Sequence, residues 1–443
     1  MATAVDIANE LDRRLANVRA AMAEHALDGL VVSGSEYSGF EGAVTYLSGF
    51  QIVHRYAYAI VPADGDPFVV FPSEARYVGE HGTALIEQRF DPHPGRAIAD
   101  HAKDHGWRRI GVYGLDYVMT VRDYRELEAF EVVPFDVEFD LARAVKSDAE
   151  LESVKDSVRI NRRGFELFAE AYAPGRSAAE VMAAAEEYFV AEGCGRLTMN
   201  MVLTAPGRSG VAFPEFKIAR KEEVLGDFVL PSLEIAGPGM HWVEVSRALA
   251  APGTALSSDT TAMADAYTEY YEAARGAMRA GATCHDVHMA VSKGFHDRGY
   301  HLGHVTGHSI GMTMIEFPKI GEGVETELAE NMVLSMHPHA IAENGEDCLY
   351  MQDTWLVTAS GGVPLADLPM EIVRAGGDRR EERWRSPRGS SRTTTASRAV
   401  GGAAVPTPPT VRTTTTSGGC PSRTTCACSR SSRSKGSSLG SRG

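Results

Sequence analysis

Apolar residues recur at Leu11, Leu15, Val18 and Met22 with charged and polar residues between them, which predicts an amphipathic helix over 8–26. The period then changes. GLVVSG (29–34) is a short β-branched run and reads as a buried strand. AYAIVPADGDPFVVFP (57–72) is two apolar segments around a DGD turn, hence a hairpin, and IGVYG (110–114) gives a further strand. Strands alternating with helices make 1–145 a small α/β domain.

A second domain, 146–377, opens with RAVKSDAELESVKDSVRINRRGFELF, where Ser147 followed by Glu150 forms a capping box at the head of a long helix. Inside it the pattern repeats. PGRSAAEVMAAAEEYFVAEG (174–193) matches AGATCHDVHMAVSKGFHDRG (280–299) at an offset of 106. Gly175 pairs with Gly281, Ser177 with Thr283, Glu180 with Asp286, Val181 with Val287, Phe189 with Phe295 and Gly193 with Gly299. Each copy carries a capping box and then a helix with an apolar stripe. MNMVLTA and FVLPSLEIAG follow the first copy, and MVLSMHPHAI and TWLVTA the second, all strand-like. Two α–β halves around a shared sheet would place a site on their pseudo-twofold axis.

Charge separates a third segment. From Arg383 onward there are 11 Lys and Arg and no acid, so the rest holds 33 basic against 59 acidic residues. Such an acidic body argues against nucleic acid as a partner. The segment 378–443 is rich in Arg, Ser, Thr, Gly and Pro and reads as disordered. Its composition is also that of a shifted reading frame in a GC-rich gene, which resequencing around codon 378 checks. No apolar run reaches about 18 residues, which argues against a membrane span. The charged start lacks the apolar core of a signal peptide, so a cytoplasmic location is expected. Cys194, Cys284 and Cys348 are scattered without ligand spacing and read as reduced core thiols.

With R-x-x-K-S-x-x-E-L (Arg143 to Leu151), the duplication, and the frames HVTGHSIGM, ENMVLSMHP and QDTWLVT, the chain resembles the M24 "pita-bread" family over about residues 5–375. Creatinase, aminopeptidase P, prolidase and methionine aminopeptidase belong to it. The resemblance implies a creatinase-type α/β amino-terminal domain, an α+β pita-bread domain with an internal repeat, and a homodimer acting on a small-molecule substrate.

The family's metallopeptidases hold two divalent ions through Asp, Asp, His, Glu and Glu. The resemblance places Glu244 at the second Asp, followed by Arg247, and Leu233 at the first; Glu234, next to it, would face the other way in a regular strand. His308 stands at the His position, but His337 and Gln352 replace the two Glu ligands, and Ile315 a further His. Two ions carry a charge of about +4 and need bridging carboxylates. One carboxylate and two imidazoles argue against a dinuclear centre.

Three readings follow. In the first the pocket needs no cofactor, as in creatinase, and Glu244, His308, His337 and His304 hydrolyse a non-peptidic C–N bond by acid–base catalysis. In the second, Glu244, His308 and His337 bind one divalent metal ion in an Xaa-Pro peptidase-like hydrolase or another metalloenzyme. The third is a catalytically silent small-molecule-binding protein. Gln352, Arg247, His339, Glu215 and Tyr350 are the candidate substrate-binding residues, and a surplus of histidines (His241 and His301 among them) suggests an anionic or amide-bearing substrate. The bland alternative for Glu244 is an ion pair with Arg247. His285, His288 and His296 read as surface residues of a capped helix.

Overall fold

The computed structural model describes residues 4–375, apart from 37–40, 53, 79–85, 196–199, 205–216, 304, 344 and 346. The described residues fall in one compact unit, and the basic tail, 378–443, lies outside them.

The amino-terminal residues build a six-stranded mixed sheet, ordered Glu87–Asp91, Phe68–Pro72, Tyr56–Pro62, Gly29–Ser35, Arg109–Tyr113, Glu131–Pro134. The hairpin is present, with Tyr58 opposite Val70. Gly29–Ser35 is buried throughout, as its unbroken apolar run requires of a strand covered on both faces. The stripe Leu11, Leu15, Val18 and Met22 of helix Ala4–Glu24 packs with Phe139 on one face. Ile98, Ala99 and Ala102 of helix Pro94–Asp104 cover the other.

The duplication extends through the second domain. Helices Asp148–Ala171 and Ala178–Ala191 in the first half correspond to Ser258–Ala277 and Cys284–His296 in the second. Each half has a five-stranded sheet. In the first, Phe228–Ser232 lies between Met201–Thr204 and Leu249–Ala250; in the second, Val333–Met336 lies between Gly307–Ser309 and Asp353–Val357. Among the described residues the single shared sheet expected from the sequence is not formed. The two sheets stay separate, and the halves meet at an isolated bridge in which Ser246 and Gln352 exchange both backbone hydrogen bonds, at 3.2 and 3.1 Å. These two residues are themselves 106 apart, so the duplication meets itself at this pair.

The capping boxes are unequal. Ser147 and Glu150 close a complete one. In the repeat, the Thr283 hydroxyl accepts from the Asp286 amide, but Ser177 makes no such bond and donates its hydroxyl to the Arg220 carbonyl. The expected first box therefore fails because a neighbouring loop supplies a competing acceptor.

The segment from Arg143 to Leu151 forms the seam between the domains. The buried Glu316 carboxylate forms an ion pair with Arg143 at 2.9 Å and accepts from Lys146 at 3.2 Å, and Arg143 also donates to Asp140 at 2.7 Å. Glu150, beyond capping its helix, receives Arg13 at 2.6 Å and Arg14 at 3.1 Å from the first helix. Among the described residues no helix is long and apolar enough to cross a membrane.

Candidate active site

The site is built where the halves meet. A short hairpin, Glu234–Ala236 with Trp242–Glu244, supplies two carboxylates, because Glu234 and Glu244 are direct cross-strand partners and so share a face. This overturns the expectation that Glu234 points away. Leu233 instead enters the hydrophobic core, and Glu234 is 6% exposed within the site. Asn161, from the long helix, fixes the hairpin by donating to the carbonyls of Leu233 at 2.9 Å and Val243 at 3.2 Å. Thr354 clamps the Glu244 backbone, its hydroxyl accepting from the amide and donating to the carbonyl.

The second half contributes His308, from strand Gly307–Ser309, and His337, which precedes strand His339–Ile341. Their rings lie 5.0 Å apart. His308 Nδ1 is 2.9 Å from the Ser309 carbonyl, which can only accept, so Nδ1 carries the proton and Nε2 faces inward. Nε2 stands 3.5 Å from Glu244 Oε1. One ligand atom each from Glu244, His308 and His337 fall within 4.8 Å of one another, and all three residues are buried.

Gln352 links the two carboxylates. Its Nε2 lies 2.9 Å from Glu234 Oε1, from Glu244 Oε2 and from the Tyr350 hydroxyl. Its Oε1 accepts from Ser246 at 2.7 Å, and the Ser232 hydroxyl, which donates to Glu234 Oε1 at 2.8 Å, lies 3.2 Å from it. His339 meets the Tyr350 ring edge-on at 5.5 Å, and His337 lies 6.0 Å from the same ring. Tyr350, Gln352, His337 and His339 are thus brought together.

The electrostatics follow from burial beside like and unlike charge. Burial and the charge of Glu244 push the Glu234 carboxyl well above the usual range, against the hydrogen bonds from Ser232 and Gln352. Burial also opposes ionisation of Glu244, but the hydrogen bond from His308 and the charges of His337 and His308 outweigh it, so its carboxyl is lowered. His308 is raised despite burial, by its bond to Glu244 and that carboxylate's charge. Two carboxylates on one face therefore part their titrations, as close pairs do.

Arg247 departs from expectation. Its Nε donates to the Pro369 carbonyl; Nη1 donates to those of Ser246 and Gln352; Nη2 donates to that of Leu368 and to Asp353, at 2.5 Å. All five N–H groups are engaged within the protein, leaving none for substrate. For the same reason it is no partner of Glu244. His241 lies at the domain seam, 2.9 Å from the Ser153 hydroxyl, and His301 is exposed, so neither adds to the pocket. His288 is half-buried against Thr306, not a plain surface residue. His304 and Glu215 lie outside the described residues. Cys194, Cys284 and Cys348 are free thiols.

Two family models match the chain: metallopeptidase family M24 over residues 152–359, and the creatinase/prolidase N-terminal domain over 14–145. A probable dipeptidase PepE of Mycobacterium tuberculosis is 26% identical over 378 residues, covering 82% of this chain and 96% of that protein. An Xaa-Pro dipeptidase of Pyrococcus furiosus is 24% identical over 274 residues, 60% of this chain and 75% of its own length. Among solved structures, dipeptidase PepE from Mycobacterium ulcerans superposes with a TM-score of 0.68 at 23% identity, covering 83% of this chain and 98% of that one. The prolidase from Pyrococcus horikoshii gives 0.66 at 17% identity, with 80% and 97% covered. Residues 152–359 therefore form an M24-family domain, joined to a creatinase/prolidase-type domain over 14–145, and the chain carries the two-domain organisation of these hydrolases.

Proposed function

We propose that the protein hydrolyses an amide-type C–N bond in a molecule of dipeptide size or smaller, at a centre made by Glu244, His308 and His337 around one divalent ion. The observation that carries this reading is the trio of buried donor atoms within 4.8 Å. Two imidazoles and one carboxylate are a known set for a single ion, and the Nδ1–H bond to Ser309 orients His308 as outer partners orient metal-binding histidines. The likeness to dipeptidases and an Xaa-Pro dipeptidase supports the bond type. When bound, such an ion supplies a Lewis acid and a water acidified to near neutrality. The chain itself aims Nε2 of His308 through the Ser309 carbonyl, fixes the Glu244 backbone through Thr354, and sets the Tyr350 ring beside those of His337 and His339.

A metal-free reading is favoured by one observation. Glu244 and His308 already form a carboxylate–imidazole pair at 3.5 Å, which could activate water by acid–base chemistry alone. Metal analysis of purified protein with a panel of dipeptides, Xaa-Pro substrates and small amides separates the two. One ion per chain, with turnover abolished by EDTA and restored by Mn²⁺ or Zn²⁺, is the expected result. Turnover that survives complete ion removal would sink the one-ion reading. The binding-protein alternative gains only if no substrate turns over while His308→Ala abolishes ligand binding.

A further inference from the structure

We propose that the side-chain amide of Gln352 occupies the place of a second cation, tying Glu234 to Glu244 and restricting the pocket to a single ion. Glu234 and Glu244 are buried cross-strand partners, and two such carboxyls need a shared proton, a cation or a hydrogen-bond donor between them. What stands there is Nε2 of Gln352, 2.9 Å from an oxygen of each. An amide nitrogen offers hydrogens, where a metal ion needs lone pairs.

The amide cannot simply turn over. Ser246 donates to Oε1 from the opposite side at 2.7 Å, the Ser232 hydroxyl that gives its hydrogen to Glu234 at 2.8 Å packs 3.2 Å from the same oxygen, and the backbone is pinned by the bridge to Ser246. Glu244 is divided between two tasks. Its Oε2 accepts from Gln352, while its Oε1 faces His308, on the side where the trio of ion donors converges. One ion can therefore be held without disturbing the amide. A second, bridging Glu234 and Glu244, cannot.

The family's two-ion arrangement thus does not fit this chain, and the misfit lies chiefly in one side chain. Gln352→Glu is nearly isosteric and replaces the donor with a third carboxylate facing the other two. With no ion present, three buried carboxylates repel; with ions present, they form a second site beside the first.

The test is ion stoichiometry, measured by elemental analysis after equilibration with excess Mn²⁺ and gel filtration. Thermal unfolding in EDTA and in Mn²⁺ runs alongside it. The wild type is expected to hold one Mn²⁺ per chain and Q352E two. The unfolding midpoint of Q352E should fall below wild type in EDTA and rise more than wild type on adding Mn²⁺. The double variant E234Q/Q352E should return to one ion. Two ions in the wild type, no additional ion in Q352E, or two in the double variant would each overturn the proposal.

The inference rests on the one-ion reading only for the wild-type count. A wild type without metal, beside a Q352E that gains it, would refute that reading and leave the amide's role standing. Should Q352E fail to fold, E234Q alone still decides. With the amide engaging Glu234, its ion count stays at one, and a loss of the ion would show Glu234 to be a ligand and the proposal false.

Discussion

Arg247 and Glu234 show what a single position does and does not reveal. Arg247 follows the site carboxylate Glu244 by three residues, which makes it a natural substrate anchor in the sequence, yet its whole fork closes on Asp353 and four carbonyls. All of those partners but the neighbouring Ser246 carbonyl come from 352–369, over a hundred residues away, and local sequence cannot name them. Glu234 was hidden by a count that treated Leu233 as the inward residue. The register of the hairpin decides otherwise, and a five-residue turn between Ala236 and Trp242 would have disclosed it. His308, His337 and Gln352 stand out in the sequence because the resemblance places each at a ligand position of the frames HVTGHSIGM, ENMVLSMHP and QDTWLVT, which local composition alone does not do. For Arg247 the expectation is structural. Arg247→Ala leaves Asp353 buried without its cation and should cost about 3–5 kcal/mol in urea unfolding. A variant with wild-type stability but a raised KM would restore Arg247 to the substrate side.

At the scale of elements, the duplication was legible because both copies repeat the same backbone punctuation. Gly175 and Gly281 adopt φ of 85° and 82°, and Gly193 and Gly299 adopt 79° and 78°. Left-handed backbone before and after a helix is a demand that sequence records directly as glycine. The separation of the sheets was not legible, since strand-like runs say nothing about which strand ends diverge. The helix starts give measurable consequences. A Cβ at Gly281 would meet nothing within 4 Å, so Gly281→Ala isolates the backbone term and should destabilise by about 1 kcal/mol. Ser147→Ala removes the one complete capping box and should cost a similar amount, about 1 kcal/mol. Ser177→Ala, lacking a cap bond, should cost much less in the same denaturation series. Equal losses at Ser147 and Ser177 would contradict the asymmetry between the caps.

Across the whole molecule, the conspicuous R-x-x-K-S-x-x-E-L stretch acts as a clasp, not as catalytic machinery. Its Arg143 and Lys146 hold Glu316, and its Glu150 receives Arg13 and Arg14, so one nine-residue stretch draws together the first helix, its own helix and the distant strand Glu316–Ile320. His241 is enclosed in this seam, its Nε2 4.0 Å from Glu150 and its Nδ1 on Ser153. Burial, then the charges of Arg14 and Lys146, press its titration down to about 3. The consequence for stability has a definite sign. Unfolded, the imidazole titrates near 6.5, so between about 6.5 and about 3 the unfolded chain binds the extra proton and the native state loses ground as pH falls. Above 6.5 the term vanishes. Asp140, raised to about 6 first by burial, works in the opposite direction, because the native state then takes up its proton earlier than the unfolded chain. The wild-type slope therefore mixes His241 with Asp140 and the other raised groups, Glu234 and His308, and His241→Asn isolates the imidazole by keeping a hydrogen-bonding side chain near Ser153 without a titrating ring. Between pH 7 and pH 5 the wild type should lose up to about 2 kcal/mol more in urea unfolding than H241N does. Parallel losses in the two proteins would mean that His241 is protonated within the folded seam and that the acid response of the clasp belongs to its carboxylates instead.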